Sequence, residues 1–429
     1  MKFELQEHIG KYPVVREIGS GATSRVYLGR DPFADRDVAI KVFLFDTQFD
    51  APTQRMMHKA FLAEASLAGK LNHPHIVDIY DAVAEPDHSY VVMEYVPGTT
   101  LEAHSSVTNL LPLPKVVEII FKCIRALEYA FQHGVIHRDI KPGNILLSQT
   151  GETKVGDFGA SFQQRQGSES TQITGVGSPA YMSPEQVRME SLNQQTDIYS
   201  LGVVMYRLLT GRLPFQAATQ AALTYAILNT EAHPPSTYRP ELPALLDQIV
   251  LRAMNKDLAA RYPSWLEFGK DLSKAFSTLN LAGETASDSQ KFNTLRNMEF
   301  FQDFGDVALW EVVRIARWKT VPAEQIVIKE GDPGDTFYLL LEGEVAVTLL
   351  GKPLNTLKPG ACFGEVLYFT GSSGRRTTTI VSVGSITVLE IKADALRAST
   401  DQCQVAFNKA LMRVLIDRLT QANLKLARR

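Results

Sequence analysis

Over the first 45 residues, apolar and polar positions alternate in short runs around a Gly-rich turn. Val14-Val15-Arg16-Glu17-Ile18, Val26-Tyr27-Leu28 and Val38-Ala39-Ile40-Lys41-Val42 predict β-strands. The period then turns helical, with Phe61, Glu64-Ala65, Ala68 and Leu71 at three- and four-residue spacing. Val91-Val92-Met93-Glu94-Tyr95 predicts a further strand, 116–131 a helix, and most of 185–275 stays helical. A β-rich stretch of about 90 residues followed by an α-rich one of about 180 predicts two lobes. Residues 277–290 are small and polar, as in a linker. Beyond them come a helical piece near 295–318, short strands with Gly turns over about 320–392, and an amphipathic helix near 402–427. That order predicts a β-barrel flanked by helices. No internal repeat is present.

At 429 residues the chain has room for two or three domains of about 150 residues each. Its net charge of −3 gives no overall drive toward nucleic acid or anionic membrane. The three cysteines, Cys123, Cys362 and Cys403, are far apart, which argues against a disulfide framework or zinc module and fits a reducing compartment. The most apolar run, Leu201 to Leu209, is broken by Arg207 and is far shorter than a membrane span of about 18 residues. The first residues lack the apolar core of a signal peptide, so a cytoplasmic location is expected.

Ile18-Gly19-Ser20-Gly21 lies between two predicted strands, where glycines let main chain approach a phosphate. Such a turn alone also occurs in many hairpins. Here it precedes Lys41 on the third strand, where Val38-Ala39-Ile40 implies burial. A buried ammonium requires a carboxylate, and Glu64 on the next helix is the expected partner. His137-Arg138-Asp139-Ile140-Lys141-Pro142-Gly143-Asn144 and then Asp157-Phe158-Gly159 follow. Asn144 and Asp157 offer the hard oxygens that Mg²⁺ or Mn²⁺ prefers. Asp139 can accept a hydroxyl proton, and Lys141 can neutralise charge on a transferred phosphoryl group.

This set of motifs resembles the protein kinase superfamily over about residues 12–275. Leu71-Asn72-His73-Pro74-His75-Ile76-Val77 and Tyr181-Met182-Ser183-Pro184-Glu185-Gln186 are similar to the eukaryotic-like Ser/Thr kinases of bacteria. The resemblance implies that Ile18, Gly19, Ser20, Gly21, Val26, Ala39 and Lys41 surround ATP. Met93 is implied as gatekeeper, with Glu94 and Val96 at the adenine. Asp139, Lys141, Lys41 and Glu64 form the catalytic set, and Asn144 and Asp157 hold the metal. Asp197 is expected to brace the catalytic loop and Glu185 to pair with Arg261. Lys141, two residues after Asp139, follows the Ser/Thr pattern. Ser24 in place of the third loop glycine, and Ser183-Pro184-Glu185 in place of Ala-Pro-Glu, are variants common in the bacterial group. Thr171 and Thr174 are the expected activation-segment phosphosites.

In the last third, Gly-separated strands lead to Cys362-Phe363-Gly364-Glu365 and then Arg375-Arg376-Thr377-Thr378-Thr379-Ile380. A Gly frees main-chain N–H groups for an anion, a carboxylate accepts from a ribose hydroxyl, and an arginine forks onto a phosphodiester. This stretch resembles the phosphate-binding cassette of the cyclic-nucleotide-binding family over about residues 298–425. The implied ligand set is Gly364, Glu365 for the 2′-OH, Arg375 or Arg376 for the phosphate, and Thr377. The Arg-x-x-Thr-Ile tail favours Arg376, whereas the Glu-to-Arg spacing of catabolite activators favours Arg375. No reading head follows the last helix, so DNA binding is not expected. That helix carries Phe407, Leu411, Leu415 and Leu419 along one side, for packing on the barrel, closing over the nucleotide or pairing in a homodimer.

The expected fold is α+β: a bilobal protein kinase fold followed by a β jelly-roll or barrel with flanking helices. The expected domains are a kinase over 1–276, a linker over 277–294 and a cyclic-nucleotide-binding-like domain over 295–429. The expected activity is transfer of the ATP γ-phosphate to protein Ser or Thr, regulated by cAMP or cGMP. The alternative is a constitutive or autophosphorylation-controlled kinase whose barrel docks or dimerises and binds no nucleotide.

Overall fold

The computed structural model describes residues 7–21, 24–43, 51–84, 89–158, 179–279, 288–365 and 375–427. The chain divides into two compact units, Met1–Thr285 and Ala286–Arg429.

The first unit opens with strands β1 (His8–Ile9), β2 (Tyr12–Ser20), β3 (Ser24–Asp31) and β4 (Arg36–Phe43). Helix α1 (Ala51–Ala68) and strands β5 (Ile79–Ala84) and β6 (Ser89–Glu94) follow. The strands form one antiparallel sheet in the order β1-β2-β3-β4-β6-β5. Alternation along β4 decides which side chains face which layer. Val38, Ile40 and Val42 enter one core with Tyr12, Tyr27 and Val92. Phe43, two residues from Lys41, enters the other with Phe61 and Ala65 of α1. Lys41 therefore points to the α1 face of the sheet.

The helical remainder carries β7 (Gly98–Thr100), α2 (Leu113–Gln132), β8 (Ile145–Ser148) and β9 (Thr153–Val155), then α3 (Pro184–Val187) and α4 (Gln194–Thr210). Helices α5 (Gln220–Asn229), α6 (Ala244–Ala253) and α7 (Trp265–Leu279) complete it. Helices α2 and α4 bury most of their residues, which makes them a frame for the polar loops they support.

In the second unit, α8 (Asp288–Arg296) and α9 (Asp306–Ile315) precede strands β10 (Arg317–Val321), β11 (Ile326–Ile328), β12 (Thr336–Glu342), β13 (Val345–Leu349) and β14 (Lys352–Leu357). Strands β15 (Cys362–Phe363), β16 (Thr379–Ser382) and β17 (Ile386–Lys392) and helices α10 (Ala393–Arg397) and α11 (Asp401–Ala427) follow. Two four-stranded antiparallel sheets, β10-β17-β12-β15 and β11-β16-β13-β14, share a core that includes Tyr338, Leu340, Phe363, Val345, Ile380 and Val388.

Two sequence expectations change. The stretch expected as linker is helical from Asp288, because Phe292 and Leu295 are fully buried and Phe292 stacks on Trp310 with ring centroids 4.6 Å apart. Along α11, Phe407 and Leu411 are buried, but Leu415 and Leu419 are 38% and 64% exposed. Steps of four residues overrun the helical repeat by about 40° each, so the stripe winds off the packed face.

Candidate functional site

The residues expected to act in phosphoryl transfer converge because strand register and two loops bring them together. On β2, Gly19 pairs with Val26 of β3, and Val26 in turn pairs with Lys41 of β4. Ala39 lies opposite Met93, and Lys41 opposite Val91, on β6. Lys41, Met93, Asp157 and Phe158 line one cavity with Phe61, Ala65 and Ala68 of α1. Ile18 and Ser20 lie on β2, Gly21 donates its N–H to the Ser24 carbonyl (2.8 Å), and Val96 is buried just past β6. Glu94 is held by Lys154 Nζ, 2.8 Å away, an ion pair that no sequence motif announced.

Lys41 Nζ donates to both carboxylate oxygens of Asp157, at 2.5 Å for Oδ2. The Glu64 side chain expected as its partner lies outside the described residues, as do Thr171 and Thr174. Burial alone would raise the Asp157 carboxyl, but the Lys41 ammonium outweighs it and holds the acid below its ordinary value. Asp157 therefore stays ionised throughout the neutral range.

The loop between α2 and β8 is anchored from below. Asp197, buried on α4, accepts from the main-chain N–H of His137 (2.7 Å) and Arg138 (2.8 Å). Its burial raises the carboxyl above the usual range, while those two N–H groups pull the other way. His137 Nε2 bonds the Gly156 carbonyl at 2.8 Å, which ties the loop to the strand end that carries Asp157. Arg138 and Asp157 both adopt φ of +66°, a left-handed conformation that costs a non-glycine residue about 1–3 kcal/mol. The anchoring contacts hold that strain where the chemistry is expected. Lys141 Nζ donates to Asp139 Oδ2 at 2.7 Å. Asn144 Nδ2 donates to the Asp139 carbonyl (2.7 Å) and to Oδ2 (3.0 Å). Since the Asn144 amide nitrogen is committed to Asp139, its oxygen is the atom left for a hard cation. With the Asp157 carboxylate this donor set fits Mg²⁺ or Mn²⁺.

The segment around α3 is fixed by Glu185. Arg261 forks onto it at 2.8 and 3.2 Å, Thr196 Oγ1 donates at 3.0 Å, and both ion-pair side chains are almost fully buried. Gln186 closes a capping box with Ser183 and reaches the Arg138 carbonyl at 2.7 Å. Burial would raise the Glu185 carboxyl, but Arg261 wins and holds it below 4.5. The pair's stabilisation is therefore complete above the unfolded value and is lost as pH falls through the lower folded one. Glu185→Ala is expected to destabilise this unit by about 3–5 kcal/mol at pH 7, because it strands a buried guanidinium. Urea unfolding checks this, and a loss below about 1 kcal/mol would contradict it.

In the second unit, Arg376 is buried and Arg375 is exposed. The Arg376 guanidinium donates to the carbonyls of Gly364 (3.2 Å) and Thr336 (2.7 Å), and that of Arg375 to the carbonyl of Gly331 (2.8 Å). Among the described residues no carboxylate pairs with either arginine. Burial lowers the Arg376 pKa from its ordinary value. Two glycines make room for this side chain. A Cβ on Gly334 would collide with the guanidinium, and one on Gly364, at φ +79°, would come within 2.8 Å of it. Glu365 is buried and accepts from Arg418 Nη1 at 2.5 Å, while Arg418 Nη2 reaches the Cys362 carbonyl. Arg418 was not foreseen. It follows Phe407 and Leu411 at four and then seven residues, in line with the buried face, and that spacing is the signal for it. Thr377 is exposed beside Arg376.

A protein kinase domain model matches residues 12–263. The chain belongs to the protein kinase family. A cyclic nucleotide-binding domain model matches residues 318–402 of this kinase-family chain. The serine/threonine-protein kinase PrkC of Bacillus subtilis is 39% identical over 273 residues, covering 62% of this chain and 41% of its own length. The serine/threonine-protein kinase PknB of Mycobacterium tuberculosis is 38% identical over 268 residues, covering 61% and 42%. The probable serine/threonine-protein kinase PknB of Bifidobacterium longum is 37% identical over 274 residues, covering 61% and 39%. The chain thus spans about two fifths of the length of these relatives. No helix among the described residues is long and apolar enough to cross a membrane.

Proposed function

We propose that this chain transfers the γ-phosphate of ATP to Ser or Thr of protein substrates in the cytoplasm, and that cAMP or cGMP on its second unit regulates the transfer. The observation that carries the first part is the joining of Lys41, Asp157, Asn144, Asp139 and Lys141 through direct bonds and one anchored loop. Serine or threonine as acceptor is supported by Lys141 and by the names of the kinases to which the chain is similar. In this reading Lys41 binds the α- and β-phosphates, Asp139 orients the acceptor hydroxyl and takes its proton, and Lys141 steadies the moving phosphoryl group. Asn144 and Asp157 would hold Mg²⁺ or Mn²⁺, which supplies charge neutralisation on the phosphates when bound.

The second part rests on Arg376, a buried cation whose hydrogen-bond partners among the described residues are carbonyls, in the same glycine cradle that leads to Glu365. A cyclic phosphate supplies the missing anion, and the ribose 2′-OH a donor for Glu365. Of the two arginines, burial favours Arg376 as the phosphate ligand.

The test is phosphate transfer by purified protein, to itself and to a generic acceptor, titrated separately with cAMP and cGMP. A saturable change of about threefold or more, absent in Glu365→Ala, is expected if the two nucleotide-binding states differ in activity. Robust transfer with a flat response to both nucleotides would retain the kinase and leave the barrel as a docking module.

A further inference from the structure

Arg375-Arg376-Thr377-Thr378 joins two cations to two hydroxyls in a chain that itself carries a kinase unit. These two threonines and Thr379 after them differ. Thr379 belongs to β16 and its Oγ1 accepts from the Glu330 N–H at 3.0 Å. Thr378 is partly buried. Thr377 is exposed, lies outside any strand or helix, and directly follows the two arginines. Among the described residues those arginines are bonded to carbonyl oxygens and form no close ion pair with a carboxylate, although Asp335 acts on Arg376 at longer range.

We propose that Thr377 is a phosphorylation site for this chain's own kinase unit, and that phosphate there closes the cyclic-nucleotide cassette. This rests on the functional reading above. The Thr377 Oγ attacks the γ-phosphorus of ATP, and the new O–P bond forms as the bond from phosphorus to the β–γ bridging oxygen breaks. ADP leaves with that oxygen, and the hydroxyl proton passes to the Asp139 carboxylate and on to water. The product carries about −1.5 to −2 charge at neutral pH next to Arg375 and Arg376. The exposed Arg375 guanidinium can fork onto it, and the new charge stands one residue from the buried Arg376 that a cyclic phosphate would use. An incoming nucleotide anion would also meet a like charge. The kinase would thereby write a phosphate into its own sensor and weaken the input that regulates it.

The full chain is incubated with ATP and Mg²⁺, its phosphorylated residues are mapped by mass spectrometry, and cAMP and cGMP affinities are measured by calorimetry before and after. Phosphate on Thr377 is expected in the native sequence and not in Asp157→Ala, with a loss of nucleotide affinity of about tenfold or more that phosphatase reverses. Thr377→Ala, whatever its starting affinity, should become indifferent to ATP treatment. Transfer to other residues that spares Thr377 overturns the proposal and leaves the kinase reading intact. A phosphorylated Thr377 with unchanged affinity also overturns it. No transfer to any acceptor sinks the kinase reading itself, and an untreated chain that binds neither nucleotide sinks the sensor reading; either result takes this proposal with it.

Discussion

Asp157→Asn is expected to lower phosphate transfer by about 10³-fold while leaving the fold intact. The asparagine matches the carboxylate in shape and can still accept a hydrogen bond from Lys41, so the cavity lined by Lys41, Met93 and Phe158 should keep its form. What disappears is a negative charge that the structure keeps ionised despite burial, through the Lys41 ammonium 2.5 Å away. Without it, the Asn144 oxygen loses the anionic half of its cation site, and Lys41 loses its counter-charge. Radiolabelled transfer from ATP measures the loss, and thermal unfolding serves as the control for fold. The same variant measured from pH 6 to 9 separates charge from geometry. In the native sequence Asp157 is already ionised over that range, so no titration of this group should appear there. Retention of more than about a tenth of native activity would mean that the Lys41–Asp157 pair is structural and that another carboxylate serves the metal.

The contrast between the two halves of the chain shows what a single sequence displays. The kinase residues were legible because their chemistry is local. Asp139, Lys141 and Asn144 occupy one short loop, and the observed bonds among them follow from that proximity. Asp197 and Glu185 also stand out in the sequence, and each meets the expected partner at hydrogen-bond distance. The Lys41 partner was less legible. A buried ammonium demands a carboxylate, but the strand says only which layer it faces, and in this structure Asp157 answers from the end of β9. The Gly and Arg of the second cassette stood out, whereas Arg418 did not, because its role depends on how α11 winds over the barrel. The leucine stripe at four-residue spacing misled for the same reason. Periodicity identifies a helix, but helical phase decides which residues it buries, and phase is set by packing.

Arg376→Ala is expected to weaken cyclic-nucleotide binding by about 10²–10³-fold, and Arg375→Ala by no more than about threefold. The difference follows from burial and from what each guanidinium can give up. Arg375 is exposed and among the described residues holds one carbonyl, so water already competes for its charge. Arg376 is enclosed by Gly334 and Gly364, where any Cβ would crowd it, and an anion placed there exchanges weak carbonyl contacts for two charge-assisted bonds. Each such bond contributes about 1.5–3 kcal/mol, and two account for the expected factor. Arg376→Lys should recover only part of the affinity, because an ammonium is a point donor that cannot fork onto a phosphodiester. The alanine variant also leaves the Gly364 and Thr336 carbonyls without this donor, at a cost of about 1–3 kcal/mol of stability. Binding must therefore be read well below the unfolding temperature of each variant. Equal losses for the two arginines would mean that both reach the ligand. A large loss at Arg375 with none at Arg376 would make the buried guanidinium a brace for its own loop and move the phosphate to the rim.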